Sequence, residues 1–422
     1  MKNILYIILL GLYFFIFLIT ESSNLYLSWD RIIPQFLSLS ILNIISFSYL
    51  FRNNLLIPSI ASSMKEKIIL SYSAFILMSL LSIIVATNLS EAIIVFSQYF
   101  TYLTSFIAIY SIAKVIGKDF FKYFIIFSII AVFIESFSIL YNAIDRVLID
   151  GSTFERDNFL LRTVTGNINI AANSIVSKIM VLYAVIFTSR DKRYVYLSYL
   201  LLFISFSALF ILLTRSAFLS LGLLTVLIMV FNYKKFITHS VPILGIILIG
   251  YFFVQSNFNS QNPDEIYTRI SSISVNTEDD SINERLGYYS DAFNSIKQKP
   301  ILGIGIGNWK VKSIGYSGQS VYGYTVPYHT HNDFLQIAAE IGVIGGFFYL
   351  MIYLIPIYNF FIKLKDKVLD NFNFMYVAII IVIFIDSMLN FPLARPINHI
   401  FLIFTLVALI LTSKSAFSDE IS

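Results

Sequence analysis

About twelve apolar runs, each long enough to cross a bilayer, leave this chain few ways to fold. They lie near 3–20, 33–51, 67–87, 92–113, 120–141, 168–188, 194–213, 216–232, 236–254, 341–361, 373–390 and 397–413. Inside hydrocarbon every backbone N–H and C=O must be paired within the chain, and a helix of about 20 residues achieves this while spanning the core. Charged residues are 13% of the sequence, against roughly 25% in a soluble domain. The expected fold is therefore all-α: a polytopic transmembrane helical bundle of about twelve spans, with one long outer loop containing short helices. The first run has no convincing small-residue cleavage site and precedes many similar runs, so it is expected to be a retained helix.

The connecting charges give the direction of each span. Lysine-rich connections carry Lys2; Arg52, Lys65 and Lys67; Lys114, Lys118 and Lys122; Arg190, Lys192 and Arg193; Lys234 and Lys235; Lys363, Lys365 and Lys367; and Lys414. They fall at the two termini and at every second connection. Positive charge is retained on the cytoplasmic side, so both termini are expected there and the number of spans is expected to be even. The opposite connections hold most of the arginines: Arg31, Arg146, Arg156, Arg162, Arg215, Arg269, Arg285 and Arg395. Guanidinium is a planar fork that grips phosphate oxygens in pairs, where lysine is a point charge. This weighting suggests a phosphorylated ligand on the outer face; salt bridging to the outer acidic residues is the alternative. The absence of cysteine rules out disulfides and thiolate metal sites, and four histidines make a histidine-rich metal centre unexpected. No cofactor, no metal and no nucleic-acid partner are expected.

Two outer segments exceed ordinary connection lengths, one near 142–167 and one near 255–331. In the second, Ser281-x-x-Glu284 has the form of a capping box opening a helix over about 282–297. Arg285 would sit in its first turn, where backbone N–H groups favour an anion, with Leu286, Tyr289, Phe293 and Ile296 as a buried stripe. Gly303, Gly305 and Gly307 form a Gly-x-Gly-x-Gly run. It lacks the acidic residue of a dinucleotide site and the Gly-Lys-Ser/Thr ending of a phosphate loop, so it reads as a tight turn returning the loop helix to the bundle.

The most informative motif is His331-Asn332, nine residues, then Gly342-x-x-Gly345. Asp333, Gln336 and Glu340 recur at helical spacing, which predicts a short amphipathic interfacial helix with a polar face towards water or substrate. Gly342, Gly345 and Gly346 would then open the next span, where small residues let helices approach closely. At the head of this unit His331 can be a base near neutral pH or can merely cap the helix; spacing alone leaves both open. Glu135 and Lys178 lie at comparable depth in neighbouring spans and are expected to form a structural ion pair, with a proton pathway as the alternative. Asp386 and Arg395 flank the outer end of the last two spans and either pair with each other or join a phosphate site. His239 and His399 have no supporting pattern.

The His331 motif, preceded by Leu302-Gly303-Ile304-Gly305 and by Arg285, resembles the O-antigen ligase and polymerase superfamily. Thr214-Arg215-Ser216 is similar to that family's other arginine segment, and Gly166-Asn167-x-Asn169-Ile170 is similar to a segment of many members. The resemblance covers about 161–400. It implies a GT-C-like membrane fold and a metal-independent, inverting glycosyltransferase. Such an enzyme moves a glycan from undecaprenyl pyrophosphate to an acceptor hydroxyl, lipid A–core or another glycan, at the outer face of the bacterial inner membrane. His331 becomes the expected general base, since His329, two residues away, lacks the following Asn and glycine spacing. Arg215 and Arg285 become the catalytic clamp for the leaving pyrophosphate, and Asn332, Asn167, Arg395 and Asp386 join them as substrate-binding residues. The corresponding organisation is 1–160 N-terminal transmembrane helices, 161–254 central helices, 255–331 a periplasmic loop domain, and 332–422 an interfacial helix with the last spans. Ligase is the preferred activity and repeat-unit polymerase the closest rival, because both share one leaving group. Protein O-oligosaccharyltransferases of the superfamily carry a long C-terminal extension, which is not expected here after Lys414. A lipid-linked sugar transporter or flippase would call for internal repeats and broken midplane helices, and neither is seen in the sequence.

Overall fold

The computed structural model describes residues 2–19, 32–151, 167–231, 233–258, 280–316, 327–365 and 371–412. Every regular element among them is helical. In chain order they are α1 (Lys2–Phe14), α2 (Ile33–Arg52), α3 (Leu56–Ser63), α4 (Lys67–Ser82), α5 (Leu89–Ile116), α6 (Asp119–Ile144), α7 (Ile168–Thr188), α8 (Lys192–Leu212), α9 (Arg215–Phe231) and α10 (Tyr233–Asn257). Then follow α11 (Asp280–Gln298), α12 (Trp309–Tyr316), α13 (Asp333–Lys365), α14 (Asn371–Leu389) and α15 (Pro396–Thr412). Among the described residues nine helices are long and apolar enough to cross a membrane, and three shorter apolar ones, Ile4–Phe14, Arg215–Phe231 and Pro396–Thr412, stand where the other expected spans fall. The chain is a multi-pass helical membrane protein.

The bundle is organised around α7, which is buried nearly throughout and packs against α6, α8, α9 and α14. With lipid outside, packing and polar pairing replace the hydrophobic effect as the force between helices. Phe14, Phe124, Phe401 and Phe404 interleave α1, α6 and α15 with ring centroids 5.0–6.3 Å apart. Tyr13 donates to Asn43 at 2.7 Å, and Asn43 donates to Thr104 at 2.8 Å, tying α1, α2 and α5. Lys178 meets Glu135 at 3.0 Å with both side chains buried, and its ammonium also donates to Ser174 Oγ at 2.6 Å. The expected pairing is thus present. His399 and His239 each hold a tyrosine hydroxyl, Tyr72 and Tyr199, at 2.7 Å; both are packing histidines.

The loop helices return to the bundle as expected, and the glycine run is the hinge. Gly303, Gly305 and Gly307 all have positive φ, a region glycine enters without steric cost. They lie against the backbone of Glu340, Ala86 and Glu91 respectively, so close that a Cβ would collide. Ile304 N and Gly305 N donate to the carbonyls of Ala339 and Glu340 at 2.9 Å. Asn308 exchanges two hydrogen bonds with the backbone of Asn88, and Ile306 N donates to Ser82 Oγ. The run is therefore stapled onto the α4–α5 turn and the start of α13.

α13 contains the expected two pieces. Gly342 interrupts it with φ 81° and ψ 169°, and Val343 N donates to Pro300 O at 2.8 Å. The interfacial piece differs from expectation in one respect. Asp333, Gln336 and Glu340 are buried, not turned to water. Glu340 accepts N–H bonds from Gly307 and Trp309 at 3.0 Å, Gln336 accepts from Thr330 N, and Asp333 accepts from Leu393 N at 3.0 Å. The polar stripe serves the orphan N–H groups of the loops folded over it, which a buried polar face requires.

α11 also departs from the expected stripe. Leu286 and Phe293 are 47% and 52% exposed, whereas Ala292 is buried with Trp309 and Ala339, and Tyr288 and Ile296 pack against them. The docking face is thus rotated to 288, 292 and 296, because α13 presents the small Ala339 there. The helix begins at Asp280, so Arg285 lies in its second turn, past the N–H groups of the first. The side chain of Ser281 lies outside the described residues. So do Arg31, Arg156, Arg162, Arg269 and Gly166 among the residues singled out in the sequence.

Candidate active site

One end of the bundle gathers the α4–α5 turn, the α8–α9 turn, the start of α7, the His331 loop and the α14–α15 connection. The connection Leu389–Arg395 is the hub. Leu389 O accepts from Arg285 Nη1 at 3.2 Å. Asn390 Nδ2 donates to Ser216 Oγ at 3.3 Å and to Asp386 Oδ1 at 2.7 Å. The ring of Phe391 stacks on His329 with centroids 4.2 Å apart and planes 12° apart. It meets His331 edge-on at 5.2 Å and lies 5.4 Å from the guanidinium of Arg395.

His331 has φ 57°, a conformation that costs a residue with a Cβ about 1–2 kcal/mol and clusters at functional sites. The surrounding bonds impose it. Tyr289 OH donates to His331 O at 3.2 Å, Thr330 Oγ1 donates to Asn332 O at 2.7 Å, and Asn332 N donates back to Thr330 Oγ1 at 3.1 Å. Capping of α13 falls to Asn332, whose Oδ1 accepts from Leu335 N at 3.0 Å. The imidazole of His331 is left for other work, and its Nδ1 is buried with no hydrogen-bond partner among the described residues.

Arg285 and Tyr289 are one turn apart on the same face of α11, so the guanidinium stands beside the histidine loop. Burial and then this cation lower the pKa of His331 to about 4, below its usual 6.5. Burial, followed by Arg395 and His331, lowers that of His329 to about 3, although its bond to Gln336 favours the charged form. Both imidazoles are neutral near pH 7, as an accepting base must be.

Arg215 opens α9 two residues after Leu213, which is left-handed at φ 47°, so α8 and α9 meet in a tight corner. Ser216 fixes that corner, accepting from Asn173 at 2.9 Å and from Asn390. Asp386 is held by amides rather than paired with Arg395 through the bonds it makes here: Asn390 and Asn398 each donate to one of its oxygens, at 2.7 and 3.2 Å. A chain of hydrogen bonds thus runs Asn173–Ser216–Asn390–Asp386–Asn398 across α7, α9, α14 and α15. Asn167 caps α7, its Oδ1 accepting from Asn169 N and Ile170 N at 2.9 and 3.2 Å.

Of the residues singled out in the sequence, the structure brings His331, Arg285, Arg395 and Asp386 onto or beside the hub, and Arg215 one residue away through Ser216. Asn332 and Asn167 use their carbonyl oxygens as helix caps. Sequence reasoning missed Phe391, one of 41 phenylalanines with nothing in its spacing to distinguish it, and set His329 aside although it shares the same ring. The turn itself was visible as Asn390-Phe391-Pro392 between two apolar runs. Among the described residues no three acidic or histidine side chains come together as metal ligands. The arrangement offers fixed guanidinium cations for an anion and a neutral imidazole beside them.

Residues 200–350 match the family model described as O-antigen ligase. A Rickettsia conorii protein provisionally named a polysaccharide ligase is 30% identical over 115 residues, 26% of this chain and 27% of the relative. A Rickettsia felis protein provisionally given the same name is 29% identical over 117 residues, again 26% and 27% of the two chains. The similarity thus spans about a quarter of the length of these curated relatives. The family-model match over 200–350 runs from within α8 into α13 and contains Arg215, Arg285 and His331.

Proposed function

We propose that the chain, whose residues 200–350 match the O-antigen ligase family model, is a ligase-type glycosyltransferase. It takes a glycan from undecaprenyl pyrophosphate and joins it to an acceptor hydroxyl, lipid A–core or another glycan, at the periplasmic face of the inner membrane. Both termini are cytoplasmic in this reading. The observation that carries it is the convergence of Arg285, His331 and the Arg215 corner, from three separated stretches of sequence, on Leu389–Arg395, which itself carries Arg395.

The chemistry follows from the charges. The acceptor oxygen attacks the anomeric carbon, the bond from that carbon to the pyrophosphate oxygen breaks, and the configuration inverts. Negative charge grows on the departing pyrophosphate, and preorganised guanidinium groups stabilise it without reorganising at the moment of reaction. Arg285 and Arg215 are the clamp, with Arg395 beside them, and no metal is needed for the role. The acceptor proton passes to neutral His331, a step in which a positioned base contributes about 10²–10⁴-fold. Asp386 and Asn390 hold the arginine-bearing ends of α9 and α15 rather than the substrate.

Reconstitution of the full chain with a polyprenyl-pyrophosphate-linked glycan and lipid A–core tests the reading. Transfer to lipid A–core is expected, persisting in EDTA, lost in His331→Ala and impaired in Arg285→Lys because lysine cannot reproduce a two-pronged contact. Elongation on the polyprenyl carrier would identify a polymerase instead. Lipid movement with no bond formed would exclude both.

A further inference from the structure

The end of the bundle opposite the arginine cluster holds a cavity of about 390 Å³ where α4, α13, α14 and α15 meet, within the range of small-molecule sites. Its position relative to lipid is marked by its neighbours. Tyr358, one residue before the lining Asn359, is 66% exposed on α13, and Ile57 on the short helix α3 is 76% exposed. An outward tyrosine and a short helix with outward isoleucine are features of the membrane–water interface, so the mouth lies at headgroup depth.

The mouth and the interior differ in chemistry. Lys65, Lys67 and Asn359 stand at the mouth, all exposed, and neither lysine has an ion-pair partner among the described residues. Glu66 lies between them, yet its carboxylate accepts from Tyr110 at 3.0 Å on α5 and makes no cap bond to α4. The first-turn N–H groups of α4 therefore lack a side-chain cap at the cavity edge, where they favour an anion. Deeper in, Ile68, Ile355 and Phe360 make the walls apolar. A soluble phosphate would satisfy the mouth alone; an acyl chain accounts for the apolar interior as well.

We infer that this cavity seats one anionic phospholipid of the lysine-side leaflet. Its phosphate lies on Lys65, Lys67 and the α4 start, and one acyl chain lies between α4 and α13. With Glu66 counted, the mouth carries a net charge of +1, and one such charge near a membrane surface corresponds to roughly fivefold preference for an anionic headgroup.

Native mass spectrometry of the full chain, with phosphatidylglycerol and phosphatidylcholine of identical acyl chains in equal amounts, tests this. About fivefold preferential retention of phosphatidylglycerol is expected, unaffected by millimolar glycerol 3-phosphate. Lys65→Gln with Lys67→Gln, both at exposed positions, should abolish the preference while leaving total lipid retention in place. Ile355→Trp, which fills the interior, should lose the retained lipid of both kinds. Equal retention of the two lipids by the wild type would overturn the inference, as would preference surviving the double lysine variant. Displacement by glycerol 3-phosphate would also overturn it, by assigning the site to a soluble phosphate.

Discussion

Replacing Phe391 by leucine separates the ring from the volume it fills. Leucine preserves most of the apolar contact, so the cost to folding is expected near that of a conservative core exchange, about 1.5 kcal/mol or less. What disappears is the ring as an orienting surface. Phe391 stacks on His329 at 4.2 Å, meets His331 edge-on at 5.2 Å and faces the Arg395 guanidinium at 5.4 Å. Each aromatic pair is worth roughly 1 kcal/mol beyond its area, and a cation over a ring about the same. If all three contacts hold the site in its reactive geometry, about 3 kcal/mol of positional order is lost, equivalent to roughly 150-fold in rate. In reconstituted transfer, kcat should fall by about that factor while donor KM changes little, since the arginines remain. Thermal unfolding should shift by only a few degrees. Wild-type kcat in a folded Phe391→Leu protein would refute the reasoning: the ring would then be packing, and the histidine loop would be held entirely by Tyr289, Thr330 and Asn332.

Other expectations come from the same geometry. His331 has its pKa lowered to about 4, so its neutral form persists below pH 6 and the acidic limb of the pH–rate profile should fall near 4. Arg285→Gln should move that limb upward only part of the way to 6.5, because burial is the larger cause. The linked stability is complete above pH 6.5 and lost as pH falls from there to about 4, where the unfolded chain binds the proton and the folded one resists it; thermal unfolding across that window checks the sign. Gly342→Ala places a Cβ against the carbonyl of Ile301 at φ 81°, and should cost at least about 2 kcal/mol, read as loss of monodisperse protein in detergent. Lys178→Met leaves Glu135 buried without its partner and should cost about 3–5 kcal/mol, most of it restored by Glu135→Leu in the same chain. A stable but inactive double variant would instead assign the pair to proton movement.

The sequence by itself determined the class of fold, the twelve apolar helices and the break at Gly342. Bilayer thickness and backbone pairing allow little else for such runs, and glycine spacing marks where the backbone must bend or touch. It also marked His331, Arg215 and Arg285, because a rare residue type in a fixed pattern remains visible in an apolar chain. Two readings of helical faces failed, and for one physical reason. Helical periodicity shows that residues share a face but not what the face meets. The stripe Asp333–Gln336–Glu340 faces backbone N–H groups of a loop folded over it, and α11 docks through Tyr288, Ala292 and Ile296 rather than Leu286 and Phe293. Only the tertiary structure decided that Leu389–Arg395 is the meeting point. Its carbonyl, amide and ring act through partners 60 to 174 residues away, and no local pattern records a contact made at that separation.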